Sequence, residues 1–119
     1  MKKFIVISHT HWDREWYLPF ERFRLKLVDL IDNLFGILQE HPDYIFHLDA
    51  QTVVLDDYLE LRPSRRELLE KYISSGNLIV GPWYLQNDFY LTSGESTVRN
   101  LLIGRQKAEA FGRCSEVGY

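Results

Sequence analysis

Residues 3–16 read Lys3-Phe4-Ile5-Val6-Ile7-Ser8-His9-Thr10-His11-Trp12-Asp13-Arg14-Glu15-Trp16. The first part, Lys3 to Ser8, is a short apolar run rich in β-branched residues, which predicts a buried strand. Two histidines, an aspartate and two tryptophans follow where that strand ends and a loop begins. Because binding and catalytic side chains concentrate on loops that leave a rigid scaffold, this stretch predicts both the start of a sheet and the place of a site.

His9, His11 and Asp13 are spaced two residues apart in this stretch. Successive side chains of extended backbone point to opposite sides, so these three are expected to point the same way. Imidazole and carboxylate groups suit zinc and similar divalent ions, and this spacing lets neighbouring side chains share one ion. The spacing therefore predicts half of a metal site. A loop whose histidines are only hydrogen-bonded is the alternative explanation of the same pattern.

The composition is that of a globular chain. Its 119 residues are enough for one small domain, and 45% of them are hydrophobic. The formal net charge is -3, and no Lys/Arg cluster lies on a predicted helix, so nucleic acid is not expected as a partner. The apolar run before the histidines is too short for a membrane span or a signal sequence. A single cysteine, Cys114, excludes an internal disulfide and favours a cytoplasmic location.

Helix signals recur along the rest of the chain. Apolar residues spaced by three and four predict one helix over Phe20–Gln39 and another over Val54–Leu61. Ser64-Arg65-Arg66-Glu67 has the form of a capping box that opens a third helix, which Gly76 ends. Thr92-Ser93-Gly94-Glu95 is a second such box. Its helix is expected to place these apolar residues inward and to end at Gly112: Val98, Leu101, Leu102 and Phe111.

Further strands are predicted between these helices, over Tyr44–Leu48 and Leu78–Val80, and a fourth is expected from Glu116 to Tyr119. Strands alternating with helices indicate right-handed βαβ units and a parallel sheet, hence an α/β fold in one domain. Ligands of such folds bind at the carboxyl ends of the strands. Loops leaving the predicted strands carry Asp49 and Gln51, then Trp83 and Asp88, beside the first histidine-containing loop.

Asp49 and Trp83 each have two explanations. Asp49 leaves a strand where it could contact substrate, but a side chain bonded to the loop backbone is equally compatible with its position. Trp83 could be an aromatic contact for a sugar, although tryptophan at a strand end is as often packed in a core. Glu95 and Arg99 stand four residues apart on a helix and are expected to form an ion pair or a cap.

Four segments together resemble the N-terminal part of glycoside hydrolase family 38, and most closely its bacterial α-mannosidases, including the mannosylglycerate hydrolase type. They follow one another in the family's order through nearly the whole chain: His9–Trp16, Leu48–Thr52, Gly81–Tyr84 and Glu95–Leu101. The resemblance implies a retaining, zinc-dependent α-mannosidase acting on an α-mannoside or a mannosylated small molecule. It also implies that residues 1–119 are the N-terminal portion of an irregular (β/α) barrel catalytic domain, here reaching into its fourth strand.

The same resemblance implies roles for individual residues. His11 and Asp13 would be zinc ligands, His9 would lie behind them, and Trp16 would form an apolar wall against the bound mannose. The retaining mechanism needs two carboxyl groups about 5 to 5.5 Å apart. In the family the nucleophilic aspartate, which also ligates zinc, lies a few residues beyond the position of Gly118-Tyr119, and the fourth ligand, a histidine, and the general acid lie much further on. No catalytic residue is therefore expected in this chain, which alone should be inactive.

Two alternatives from other functional classes remain open. Metal-dependent phosphoesterases and deacetylases also follow a first strand with His-x-His, although the flanking Trp12 and Trp16 favour a sugar ligand. A non-catalytic truncated domain is the second alternative. Because a partial barrel leaves an unpaired sheet edge, self-association or a homo-oligomer is expected.

Overall fold

A computed structural model describes residues 2–117. It contains three short strands and four α-helices, which alternate as an α/β fold should. In chain order the elements are β1 (Ser8–His9), α1 (Phe20–Glu40), β2 (Phe46–His47), α2 (Val53–Leu61), a single 3-10 turn (Pro63–Arg65), α3 (Arg66–Ser75), β3 (Leu78–Ile79) and α4 (Gly94–Ala110). The predicted α/β class and the alternation of strands and helices are confirmed.

The three strands form one parallel sheet in the order β1-β2-β3. Ser8 pairs with Phe46 and His9 with His47, and the same two residues of β2 pair with Leu78 and Ile79. Parallel strands place their carboxyl ends at one edge of the sheet. The loops that begin after His9, His47 and Ile79 therefore emerge side by side, as the sequence predicted.

The core lies where α1, α2 and α3 cover the sheet. Leu27 and Ile31 of α1 are fully buried, and they follow the three-and-four spacing that predicted this helix. The Tyr58 ring of α2 packs edge-on against Phe35, and its hydroxyl donates to Asp32 of α1 at 2.6 Å. Burial, followed by this hydrogen bond, raises the pKa of Tyr58 above its ordinary value.

The first predicted strand is shorter and far more exposed than expected. Only Ser8 and His9 pair with a neighbour, while the apolar residues Phe4–Ile7 are exposed to solvent, Val6 by 91%. The prediction of a buried strand over Lys3–Ser8 is therefore wrong in burial and in extent. The physical reason is that β1 is an edge strand of the described sheet and that β2, its partner, begins only at Phe46.

The second and third strands are also shorter than predicted.

The helix caps differ in part from the predicted ones. No side chain caps the 3-10 turn or α3, so the predicted capping box at Ser64–Glu67 does not form. Pro63 instead starts a tight turn that leads into the helix. Gly76 ends α3 at φ 83°, in the left-handed region, as predicted. At α4 the cap is Ser93, whose hydroxyl accepts from the Ser96 N–H at 3.2 Å.

Helix α4 presents a different face inward from the predicted one. Phe111, just after the helix, is buried as expected, whereas Val98 and Leu102 are exposed. Gly104 and Ala108 are the buried residues of α4. A β-carbon at position 104 would overlap the backbone of Pro82, Trp83 and Tyr84, so α4 approaches that loop too closely for a larger residue.

The fourth predicted strand falls partly outside the described residues. Glu116 and Val117 are not in a strand, and Gly118 and Tyr119 lie beyond the described part of the chain. Ser115 nevertheless donates its N–H to the Val80 carbonyl at 2.8 Å, which places the segment after α4 beside β3. Within residues 2–117, no helix combines the length and the apolar character needed to cross a membrane.

Candidate functional site

Backbone and side-chain hydrogen bonds join the three loops that leave the sheet. The loop after β1, residues 10–19, is called the first loop here. Its Thr10 N–H donates to the His47 carbonyl at 3.1 Å, and Gln51 Nε2 donates to the Trp12 carbonyl at 3.0 Å. The Trp83 N–H donates to the Ala50 carbonyl at 3.0 Å. The residues that the sequence singled out on these loops are thereby brought to one edge of the sheet.

His11 and Asp13 lie next to each other on the first loop. His11 Nε2 is 3.3 Å from Asp13 Oδ1, and the two side chains are 46% and 44% exposed. Two donor atoms held about 2.0 to 2.2 Å from one tetrahedral ion are separated by about 3.4 Å. The observed distance is that of a hydrogen bond, and it also fits two ligands of a single metal. Among residues 2–117, no three His, Cys, Asp or Glu side chains are grouped to hold an ion.

His9 has a different partner from the one its spacing predicted. Its Nδ1 lies 2.9 Å and 3.0 Å from the two carboxylate oxygens of Asp49, and His47 Nδ1 lies 3.3 Å from Asp49 Oδ1. The three residues His9, His11 and Asp13 therefore do not converge. The alternative of a hydrogen-bonded histidine holds for His9. For His11 and Asp13 both explanations stay open, because their contact is a hydrogen bond as well as a separation that two metal ligands can have.

Asp49 is fully buried at the end of β2, under both imidazoles. A carboxylate only accepts hydrogen bonds, so this contact favours the tautomer of His9 that carries its proton on Nδ1. Asp49 and Ala50 both have positive φ, 36° and 64°. Left-handed backbone is costly for residues with a β-carbon, and two in succession mark a turn that its surroundings must hold in place.

Arg14 of the first loop forms a bidentate ion pair that the sequence analysis missed. Its Nε and Nη2 donate to the Asp57 carboxylate of α2 at 2.7 and 2.8 Å. Asp57 is buried. The hydrogen bond to Asp57 raises the pKa of Arg14, so this guanidinium stays charged. A signal was available: Asp57 stands at the i+3 and i+4 positions from the buried Val54 and Val53.

The two predicted aromatic contacts lie in opposite environments. Trp16 is 71% exposed on the first loop, where its indole faces are open to a ligand. Trp83 is only 7% exposed and its ring packs edge-on against Phe89, 5.5 Å away between centroids. Its buried Nε1–H has no hydrogen-bond acceptor in the described part of the chain. The core-packing explanation thus accounts for most of the Trp83 surface.

The remaining sequence predictions concern single residues. Glu95 and Arg99 form the expected ion pair on α4, at 2.6 Å. Cys114 has no disulfide partner, and burial raises the pKa of its thiol. The roles of His11 and Asp13 as ligands, of His9 behind them, and of Trp16, Asp49 and Trp83 as substrate contacts stay predictions.

Comparison with known proteins gives one consistent result. The chain is 48% identical over 116 residues to a protein of Halalkalibacterium halodurans provisionally named a mannosylglycerate hydrolase, covering 96% of this chain and 13% of that protein. It is 28% identical over 102 residues to an α-mannosidase of Saccharomyces cerevisiae, covering 84% of this chain and 9% of the relative. The crystal structure of an α-mannosidase from Enterococcus faecalis V583 superposes with a TM-score of 0.91 at 45% identity, over 95% of this chain and 13% of that one.

These relatives are much longer than the sequence in hand, which spans about an eighth of the first curated relative and of the solved structure. The model of the glycosyl hydrolases family 38 N-terminal domain matches residues 1–119. With the likeness at 48% identity and the superposition on an α-mannosidase, this match confirms the resemblance drawn from the four sequence segments. The chain belongs to glycosyl hydrolase family 38 and corresponds to its N-terminal domain.

Proposed function

We propose that this chain is the N-terminal part of the catalytic domain of a zinc-dependent, retaining α-mannosidase. The observation that carries the proposal is the pair His11 and Asp13, whose donor atoms are exposed, belong to ligand types that zinc prefers, and lie at a separation compatible with one tetrahedral ion. Family membership favours a glycosidase over a phosphoesterase or deacetylase with the same His-x-His pattern. The substrate class, an α-mannoside or a mannosylated small molecule, follows the names of the relatives.

Each residue near the pair has a distinct task under this proposal. His11 and Asp13 hold the ion, which would polarise and orient bound sugar hydroxyls. Trp16 offers a flat apolar surface to one face of the pyranose ring, because its indole stands exposed on the same loop. Asp49 keeps His9 in one tautomer behind the pair.

The carboxylates of this site do not supply a nucleophile for retaining hydrolysis. Asp13 is committed to the ion under the proposal, Asp49 is fully buried between two imidazoles, and Asp57 is buried in its pair with Arg14. Asp88 is exposed on the loop after β3, but it has no counterpart among the catalytic residues of the family. A covalent intermediate needs a carboxylate that can reach the anomeric carbon, with a second carboxyl group about 5 to 5.5 Å from it. We therefore place both catalytic carboxyl groups in other parts of the longer family proteins, and expect residues 1–119 alone to be inactive.

The open face of the sheet supports the predicted barrel and self-association. A cleft of about 920 Å³ follows the sheet beside β1 and β3, and apolar side chains that line it are exposed, among them Ile5, Ile7, Ile45 and Val117. Contiguous apolar surface of this kind is normally covered by another element or another copy. We propose that further strands and helices of an irregular (β/α) barrel cover it in the longer proteins, and that the isolated chain self-associates through it. A cytoplasmic location stays a prediction.

The metal assignment is tested by titrating the chain with zinc and following the imidazole signals by NMR. We expect weak binding, because two protein ligands leave half of a tetrahedral site to water. His11→Ala should abolish the response, whereas the matched control His41→Ala, at the exposed end of α1, should leave it unchanged. An equal response in His11→Ala and the unmodified chain would refute the site.

A further inference from the structure

The first loop holds the candidate ligands in an exposed position. His11 and Asp13 are each nearly half exposed, and residues 10–19 contain no helix or strand. Packing around the two side chains is therefore too sparse to fix their separation. A metal site needs its donor atoms placed within about 0.5 Å, so something else must restrict this loop before an ion binds.

Two contacts fix the backbone on either side of Asp13. On one side, the Trp12 carbonyl accepts from Gln51, which is buried between β2 and α2. On the other side, the Arg14 guanidinium is bound by Asp57. Asp13 is thus the single residue between two points that are both attached to the second βα unit. Its range of motion is restricted from both directions.

The attachment through Arg14 is the stronger of the two. A bidentate guanidinium–carboxylate pair fixes direction as well as distance, and burial of the Asp57 carboxylate shields it from solvent. The guanidinium also lies over the Phe20 ring at the start of α1, 4.7 Å from its centroid. Arg14 is therefore held between α1 and α2, two helices that pack against each other in the core.

We propose that Asp57 is a positioning residue for the metal-binding pair, acting through Arg14 to hold Asp13 beside His11. The inference rests on the proposed function, since it assumes that His11 and Asp13 bind the ion. The chemical reason is entropic. A loop that is already held in the binding geometry loses less conformational freedom when the ion arrives, and its affinity is correspondingly higher.

Zinc titration of five variants tests the proposal. Asp57→Asn and Arg14→Gln should each bind zinc about tenfold more weakly than the unmodified chain, the scale of losses when groups that orient ligands are removed. The double variant should be no weaker than either single one, because both remove the same contact. The zinc affinity of Arg14→Lys should lie between those of the unmodified chain and Arg14→Gln, since lysine keeps the positive charge but cannot donate two parallel hydrogen bonds to one carboxylate.

Asp56→Asn is the fifth variant and the matched control. Asp56 precedes Asp57 on α2, is 40% exposed and pairs with Lys107 at 2.8 Å. Its charge also acts on Arg14, but within residues 2–117 Arg14 donates its side-chain hydrogen bonds to Asp57 and not to Asp56. The zinc affinity of Asp56→Asn should equal that of the unmodified chain. Equal losses in Asp56→Asn and Asp57→Asn, or an Asp57→Asn affinity within twofold of the unmodified value, would overturn the proposal.

Two further measurements separate positioning from general stability. Affinities are compared only in samples whose circular dichroism shows the folded state, and if the single variants do not fold, the double variant decides because it leaves no buried unpaired charge. Amide hydrogen exchange of residues 12–16 without zinc should speed up in the Asp57 variants and not in Asp56→Asn. Absence of zinc binding in the unmodified chain would refute the proposed function, and unchanged exchange would then refute the positioning role separately.

Discussion

The loops that leave this sheet carry two aspartates and two tryptophans, one pair exposed and one pair buried. Asp13 and Trp16 lie on the first loop and are exposed to solvent, whereas Asp49 and Trp83 lie on the loops after β2 and β3 and are buried. In the sequence, both pairs consist of the same residue types and follow predicted strands. Under the proposed function, the exposed residues of the first loop face the ligand, and the buried residues after the other two strands support that loop from beneath.

The largest effect is expected in the rate of catalysis, which tests whether the exposed and buried aspartates have different roles. If the exposed and buried aspartates have the tasks described, neither is a nucleophile, and the chain should hydrolyse an aryl α-mannoside at least about 10⁴-fold more slowly than a complete family enzyme. The measurement is phenolate release with added zinc. Zinc-dependent release by the unmodified chain would contradict this expectation, and its loss in Asp49→Asn with zinc binding retained would assign that carboxylate to the chemistry.

The two tryptophans are expected to differ in how much they contribute to the free energy of unfolding. Trp83→Ala should lower the free energy of unfolding by about 3 kcal/mol or more, because a buried indole is lost and a cavity remains. Trp16→Ala should change it by less than about 0.5 kcal/mol, since that ring is mostly exposed. Urea unfolding measures both, and Trp83→Phe serves as the milder variant if the alanine variant does not fold. Equal losses at the two positions would remove the distinction.

The aspartates give a smaller contrast of the same kind. Asp49→Ala should lower the free energy of unfolding by about 2 kcal/mol, because it leaves His9 and His47 without their shared acceptor and empties a buried position. Asp13→Ala should leave it within about 0.5 kcal/mol of the unmodified value. The same urea experiment decides. A destabilisation by Asp13→Ala as large as that by Asp49→Ala would mean that the first loop is itself structural.

The parts of the fold that the sequence predicted well are those governed by local repeats. Helix α1 is long, and its apolar residues repeat at three and four positions for five turns, so the bounds and the buried face were both predictable. Strand burial depends instead on what other segments cover. Phe4–Ile7 have the composition of a buried strand, yet no local pattern shows whether a neighbour lies against them.

Close packing and long-range pairing explain the other differences. Hydrophobic spacing placed Val98 and Leu102 inward on α4, but the contact with the Trp83 loop is so close that small residues occupy it. The site was half predictable for a similar reason. His11 and Asp13 are two residues apart and their contact follows from the chain itself, whereas Arg14 and Asp57 are 43 residues apart and meet only in the folded protein.

The close contact between α4 and the loop after β3 limits how this part of the chain can vary in evolution. Gly104 leaves no space for even a methyl group against the backbone of Pro82, Trp83 and Tyr84. A contact between side chains can change gradually as one residue is replaced by a slightly larger or smaller one. A contact between a glycine and a neighbouring backbone cannot change in this way, because every other residue is larger than glycine. Any replacement at position 104 must displace the whole helix or the whole loop, so change here requires a simultaneous rearrangement of two segments and cannot proceed by single small steps.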